Sequence, residues 1–238
     1  LNADDLIDIR CLLCGEKPEF RESEHFFFKL SAFQDLLLEW VRKQEHWRPN
    51  VLNFTLRYLE DGLKDRAMSR DIEWGVPIPV TGYNQKRIYV WFEAVVGYLS
   101  ASKEWAQHQG DPEMWREFWQ NPLSRAYYFM AKDNVPFHTI IWPAMLLGYT
   151  DHNLPYDIPS NEYLTLERRK FSTSQNWALW LTDYLSRYEP DPLRYFLSVN
   201  MPETGDSDFS WSEFVRRNND ELVATYGNLV HRVLTITH

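Results

Sequence analysis

Cysteine is nearly absent: the 238 residues hold two, Cys11 and Cys14. They stand too close together to staple a domain, which argues against a secreted disulfide scaffold. Positive charge is also short. Lys and Arg number 25 against 34 Asp and Glu, a net charge of −9, and a broadly basic nucleic-acid surface needs the opposite balance. Local basic clusters remain at Arg168, Arg169 and Lys170, and at Arg216 and Arg217, the latter pair reading as a solvated helix face. No run approaches the roughly 20 apolar residues that span a bilayer, so no membrane partner is expected. There is no start methionine, signal or transit segment at Leu1, and the chain reads as a cytoplasmic piece of something longer. Internal repeats and low-complexity linkers are missing too.

What is present is apolar and aromatic: 44% hydrophobic and 16% aromatic residues, enough to bury one or two cores. The most informative run, Ala131 to Met145, reads A-K-D-N-V-P-F-H-T-I-I-W-P-A-M. It follows a short apolar run, Ala126 to Met130, that reads as a buried strand, and it opens a helix at Pro136. A Lys-Asp-Asn turn between strand and helix puts charged groups at the carboxyl edge of a sheet, where open α/β folds bind small ligands. A capped helix with a surface loop is the alternative. Pro143 is expected to kink or interrupt the helix, because it removes a backbone donor and crowds the preceding turn.

A second run, Tyr89 to Ser100, reads Y-V-W-F-E-A-V-V-G-Y-L-S. In a helix, Trp91, Ala94, Val95 and Tyr98 share one face. Small side chains between two flat ones make a slot for a slender apolar ligand, with the Tyr hydroxyl and Trp N–H available to orient it. Ordinary core packing gives the same stripe.

Elsewhere, Glu22 to Phe28 has strand character. Ser31 to Gln34 reads as a capping box for a helix with Phe33, Leu36, Leu37, Trp40 and Val41 at helical spacing. A second helix from about Val51 places Leu52, Leu56, Leu59 and Leu63 on one side, with Gly62 near its end. Asp111-Pro112 and Asp191-Pro192 read as helix starts. Glu162 to Leu166 reads as a strand. Ser210 to Glu213 is another capping box, for a helix that would extend about 40 Å to the C-terminus. Cys11-x-x-Cys14 has the spacing of half a zinc knuckle, two ligands short of a closed tetrahedral site.

In order along the chain, C-x-x-C-G-x-x-P-E-F-R-E-S-E-H-F-F from Cys11, R-D-I-E-W-G-V-P-I-P from Arg70, Y-V-W-F-E-A-V-V-G-Y, A-K-D-N-V-P-F-H and K-F-S-T-S from Lys170 resemble the methionyl-tRNA synthetase family over nearly the whole length. The resemblance implies an α/β fold: the second half of a Rossmann-like class I catalytic domain, followed by the start of an all-helical anticodon-binding domain. It divides the chain into a zinc-knuckle remnant at 1–28, the catalytic half at 29–160, a K-M-S-K-S-like loop and stem-contact region at 161–208, and the first anticodon-domain helix at 209–238.

By that resemblance, Trp91, Ala94, Val95, Tyr98, Phe137 and His138 line a pocket for the methionine side chain. Lys132, Asp133, Lys170, Ser172 and Thr173 meet ATP with its Mg2+. Arg70 and Lys170 act on the reacting groups, and Cys11 and Cys14 are half of a zinc site completed only in the full-length protein. Methionine, ATP, tRNA(Met) and the missing N-terminal half are the implied partners. The chain departs from the family at Phe171 for Met, at Thr173 for the second Lys and at Gln175 for the following Arg, which leaves open how the pyrophosphate charge is met. The family's H-I-G-H half has no match, so the isolated chain is expected to be inactive. Two alternatives stand: a non-catalytic module that binds methionine or a nucleotide, and a class I synthetase for another amino acid.

Overall fold

The computed structural model describes residues 9–10, 16–19 and 22–237 and divides into two units, Leu1–Lys29 with Asp65–Val90 and Leu30–Lys64 with Trp91–His238. Cys11 and Cys14, and the half-knuckle expected of them, lie outside the described residues. Among the described residues, no group of three or more His, Cys, Asp or Glu is placed to hold a metal ion, and no helix is long and apolar enough to cross a membrane.

Two short antiparallel pairs build the first unit: β1 (Phe27–Phe28) with β2 (Arg66–Ala67), and β3 (Ser69–Arg70) with β4 (Arg87–Ile88). The strand expected over Glu22 to Phe28 shrinks to its last two residues. At Phe26 the carbonyl still accepts the Met68 N–H at 2.8 Å, but its own N–H goes to the Ser69 hydroxyl at 3.0 Å, which also pairs with His25 Nδ1 at 3.1 Å. Nearby, Lys86 Nζ meets Asp71 at 2.6 Å. That hydrogen bond, joined by one from Ser23, holds the Asp71 carboxyl below its ordinary range.

The second unit begins with a 3-10 turn at Leu30–Phe33 and α1 (Gln34–Arg42), packed against α2 (Pro49–Glu60). Leu37 and Val41 of α1 are fully buried, whereas Leu36 is exposed. Of the capping box expected at Ser31 to Gln34, the Gln34 side chain is used elsewhere. Its amide donates to Leu59 O at 2.7 Å, beside the Gly62 N–H that the same carbonyl accepts at 3.0 Å, and accepts from Leu63 N at 2.8 Å just past the end of α2. On α2 the buried stripe is Val51, Thr55 and Leu59; of the expected leucines, Leu59 and Leu63 are buried, whereas Leu52 and Leu56 are only half-buried. Thr55 is tolerated there because its hydroxyl donates to Val51 O at 2.8 Å. Gly62, with φ +84, takes the left-handed position just past the helix, as expected.

Val90 to His108 is helical throughout: α3 (Val90–Glu93), a 3-10 turn at Ala94–Val96, and α4 (Gly97–His108). Asp111 caps a turn by accepting the Glu113 N–H at 3.1 Å, and the helix that follows is α5 (Arg116–Trp119), shorter and later than its Asp-Pro signal suggested. The run Ala126 to Met130 is not the buried strand expected. Only Tyr128 is buried and Phe129 is 79% exposed; the run does pair in parallel, through a bridge between Tyr127 and Asp157 and then β5 (Met130–Ala131) beside β6 (Ser160–Asn161). The pleat turns successive side chains to opposite faces, and Tyr128 lies on the covered face while Tyr127 and Phe129 lie on the open one.

Between those two strands the chain forms a 3-10 turn at Lys132–Asn134, a π-helical segment at Phe137–Ile141 and α6 (Trp142–Tyr149). Pro143 does not break this helix. The wider π turn immediately before it, in which Trp142 N–H reaches Phe137 O, moves the preceding carbonyls away from the proline ring and accommodates the missing donor. Gly148 lies against α1's neighbour Phe33, whose ring carbon would stand 3.1 Å from an added Cβ.

A three-stranded sheet follows, with β7 (Leu164–Leu166) between antiparallel β8 (Arg169–Lys170) and parallel β9 (Ser207–Phe209). The β7–β8 connection is Glu167 and Arg168, both at positive φ, 49 and 63, the conformation a two-residue hairpin needs for its twist. Leu166, Tyr184, Leu193, Phe196, Phe209 and Phe214 form a core beneath this sheet, with Phe171 and Trp177 packed on its margin. Its helices are α7 (Leu181–Leu185), α8 (Pro190–Val199) and α9 (Trp211–Arg217). Helix α8 starts at Pro190, before the expected Asp191-Pro192, because Glu189 already has the extended backbone of a cap.

Half of the second capping box forms: the Ser210 hydroxyl accepts the Glu213 N–H at 3.3 Å. The other half is lost to charge. Glu213 turns to Arg216 and Arg217 at 2.7 and 2.9 Å, contacts that lower its carboxyl to about 2. A π-helical stretch at Asn218–Gly227 and α10 (Asn228–Thr237) continue the helix to the end of the described chain.

Candidate functional site

Two clusters in the second unit gather most of the residues singled out in the sequence. In the first, the helix beginning at Val90 presents Trp91 and Tyr98, and the π segment presents Phe137 and His138. The Trp91 and Phe137 rings stand 6.2 Å apart. Tyr98 OH lies 2.9 Å from His138 Nε2, and His138 Nδ1 lies 2.9 Å from Asn134 O. A carbonyl only accepts, so Nδ1 carries the proton; burial disfavours a second one and lowers the His138 pKa. The neutral ring then accepts the Tyr98 hydroxyl proton at Nε2.

Behind this pair, Tyr98 packs edge-on to Tyr128, 5.2 Å between centroids. The Tyr128 hydroxyl accepts the Trp142 indole N–H at 3.0 Å, and burial raises the Tyr128 phenol to about 12. On the expected helix face, Trp91, Ala94 and Tyr98 are exposed, whereas Val95 is buried in the core. Ala94 is thus on the open side of its helix and Val95 on the buried side.

Tyr163 is the centre of the second cluster. Lys132 Nζ lies 4.1 Å from its ring centroid and Lys170 Nζ 4.5 Å, and its hydroxyl donates to Asp133. Lys132 also meets Glu162 at 2.8 Å and Asp206 at 2.7 Å. Those hydrogen bonds, Asp206 first, raise the ammonium pKa, and the same contacts lower those of Glu162 and Asp206. Asn50 of α2 completes the group by donating to Glu162 at 3.0 Å. A cleft of about 540 Å³ opens here, bordered by Asn50, Phe54, Lys132, Asp133, Glu162 and Tyr163.

The loop after Lys170 closes on itself. Ser172 and Trp177 exchange backbone hydrogen bonds at 2.9 Å, Asn176 N–H reaches Thr173 O at 3.1 Å, and the Ser172 hydroxyl accepts Gln175 N–H at 3.3 Å. Thr173 is exposed at its tip. Arg169 stacks over Trp177 at 4.2 Å. Arg70 belongs to the first unit, where its guanidinium donates to Ala67 O and Ser69 O at 3.1 and 2.7 Å and lies 4.0 Å over Tyr89.

Sequence reasoning missed Tyr128, Glu162, Tyr163 and Asp206. A visible signal existed for two of them: Glu162 and Tyr163 are a charged and a phenolic residue at the start of an otherwise apolar strand, shortly before Lys170. Asp206 has no such mark, since it reaches Lys132 only through folding.

The family described as "tRNA synthetases class I (M)" matches residues 1–234. A methionine--tRNA ligase of Dehalococcoides mccartyi strain CBDB1 is 66% identical over 236 residues, 99% of this chain and 42% of that protein. Its counterpart in Thermomicrobium roseum is 61% identical over 99% of this chain and 40% of its own length. The chain thus spans less than half the length of these relatives. Among solved structures, Mycobacterium tuberculosis methionyl-tRNA synthetase in complex with methionyl-adenylate superposes with a TM-score of 0.74 at 27% identity, covering 95% of this chain and 43% of that one.

Proposed function

The chain belongs to the methionyl-tRNA synthetase family of the class I tRNA synthetases, and from that membership we propose that it supplies one wall of a site where methionine is activated by ATP and passed to tRNA(Met). The observation that carries the reading is the convergence of Trp91, Tyr98, Phe137 and His138. A methionine side chain is long, unbranched and polarizable, and aromatic edges offer its sulfur contacts that a branched aliphatic does not match. Because His138 is neutral and its ring nitrogens are both engaged, it limits the pocket without placing a charge against the thioether.

In this reading the methionine carboxylate attacks the α-phosphate of ATP, pyrophosphate leaves, and the methionyl group moves to the terminal ribose of the tRNA. The chain's own residues orient and neutralise. Asp133 accepts hydrogen bonds from ribose hydroxyls, Lys170 meets the phosphates with their Mg2+, aided by Ser172 and Thr173, and Arg70 faces a carboxylate or phosphate. Lys132 acts by holding Glu162 and Asp206, since those contacts occupy its ammonium. The N-terminal half found in full-length relatives supplies the opposite wall, and a zinc site including Cys11 and Cys14 belongs to that longer protein, as does the start of an anticodon-binding domain at 209–238 and a cytoplasmic location.

The test is ligand selectivity and turnover. Methionine, but not leucine or isoleucine, should raise the melting temperature of the full-length enzyme. Saturation at 100 times Kd is worth about 2.7 kcal/mol. The isolated chain should show no methionine-dependent exchange between ATP and pyrophosphate. Equal shifts by all three amino acids would remove the methionine assignment, and exchange by the isolated chain would show that one wall suffices.

A further inference from the structure

Tyr163 touches three charged residues that the proposed reaction uses, yet it is assigned no part in that reaction. Its backbone is fixed from both sides: Tyr163 N–H donates to Asp206 at 2.8 Å, and its carbonyl accepts Ser207 N–H at 2.9 Å. Tyr163 immediately precedes β7, two residues before Thr165, which pairs with Lys170 across the hairpin, and the period of two along extended chain puts the two side chains on one face. Tyr163 and Lys170 are therefore diagonal cross-strand neighbours, within reach for an aromatic and a long side chain. The result is one ring serving two ammonium groups, at 4.1 Å for Lys132 and 4.5 Å for Lys170, with its hydroxyl on Asp133.

We propose that Tyr163 is a positioning residue with two separable parts: the hydroxyl orients Asp133 for the nucleotide ribose, and the ring parks Lys170 beside the site until phosphate draws it away. The inference rests on the nucleotide reading given above. A carboxylate has two oxygens, so a hydroxyl donated to one leaves the other turned toward a ligand. An ammonium over an aromatic face is held by electrostatic attraction weak enough for a polyphosphate to displace. Lys132, fixed by Glu162 and Asp206 at the same ring, adds a like charge that favours release of Lys170.

Two variants separate the parts. Tyr163→Phe keeps the ring and removes the hydroxyl; Tyr163→Leu removes both. In the full-length enzyme, Y163F should raise KM for ATP about fivefold with kcat nearly unchanged, the loss expected of one ordinary solvent-accessible hydrogen bond. Y163L should add a fall in kcat of about tenfold as Lys170 loses its parking place. In the chain itself, ammonium 1H–15N spectra should show ring-shifted Lys132 and Lys170 signals that persist in Y163F and vanish in Y163L.

Equal kinetics for wild type and Y163F, or lysine signals unaffected by Y163L, would overturn the inference. A lowered melting temperature with no split between KM and kcat would do the same, assigning Tyr163 a structural role only. Failure of the underlying reading looks different: the wild-type full-length enzyme itself would then show no methionine-dependent exchange, while the lysine spectra would still report whether the ring holds Lys170.

Discussion

Replacing Tyr128 by Phe should first weaken the protein and then, at high pH, strengthen it relative to wild type. Trp142 is 2% exposed and Tyr128 9%, and the indole N–H has the phenolic oxygen as its acceptor at 3.0 Å. Deleting that oxygen leaves a buried donor without a partner, at a cost of about 1–3 kcal/mol. The ring contact to Tyr98 at 5.2 Å is kept, so little packing is lost. The phenol adds a pH-dependent contribution. Its folded pKa is raised from 10.0 to about 12, with burial as the leading cause. The folded state thus holds this proton after the unfolded state has released it. The associated stability is complete below about pH 10 and is lost as pH rises through about 12, a change of about 3 kcal/mol over the two units.

Phe cannot ionise, so the wild-type advantage should shrink across that window and reverse at its upper end. Urea titrations followed by tryptophan fluorescence, with 11 indoles as reporters, measure both proteins at each pH. Lysine titration and the other tyrosines are shared and cancel in the difference. A gap between the two proteins that stays constant from neutral pH to about pH 11.5 would refute the argument. So would a Tyr128→Phe protein as stable as wild type at neutral pH.

Gln34→Ala should cost about 1 kcal/mol by thermal unfolding, because the Leu63 N–H loses its acceptor while Leu59 O keeps the Gly62 N–H. Arg168→Gly should raise stability by roughly 0.5 kcal/mol: relief of left-handed strain, about 1–2, exceeds the added unfolded-state freedom of about 0.4–1. A loss there, measured in urea, would mean the arginine side chain contributes more than its backbone costs. His138, whose pKa burial lowers, stays neutral when folded, so its contribution is complete above the ordinary histidine value of about 6.5 and is lost as pH falls through the folded pKa. His138→Gln should flatten that acid-side slope, and an unchanged slope would assign it to other groups.

Local signals in this chain were legible wherever the relevant partner is close in sequence. Gly62 ends α2, Ser210 caps α9, and the Trp91 and Tyr98 spacing describes a helix that exists. Signals failed where a side chain has two competing uses. Gln34 sits where a capping box wants it, but it bonds residues 25 and 29 positions later, a choice that only the packing of α1 on α2 makes available. Thr55 outranks neighbouring leucines for the core because the helix itself satisfies its hydroxyl. In the candidate site, Lys132, Asp133 and His138 were visible in their motif, whereas Asp206 was not. Its distance of 74 residues from Lys132 leaves no periodicity to read, and the link exists only because β9 runs beside β7.

The π-helical segment Phe137–Ile141 carries one residue more per turn than α-helix allows, as though a single residue had been wedged in. The side chains at its start, including Phe137 and His138, and those after it, including Leu146, therefore follow two different angular phases on one continuous helix. Deleting one residue from the segment would let it tighten to α geometry and turn one half against the other by about 100°. Such a protein could keep its buried half in place only by swinging the aromatic wall away from Tyr98, or keep the wall and unseat the core. Insertions and deletions here are thus far more disruptive than substitutions, and a length change in this stretch would separate binding from folding in a way no point variant can.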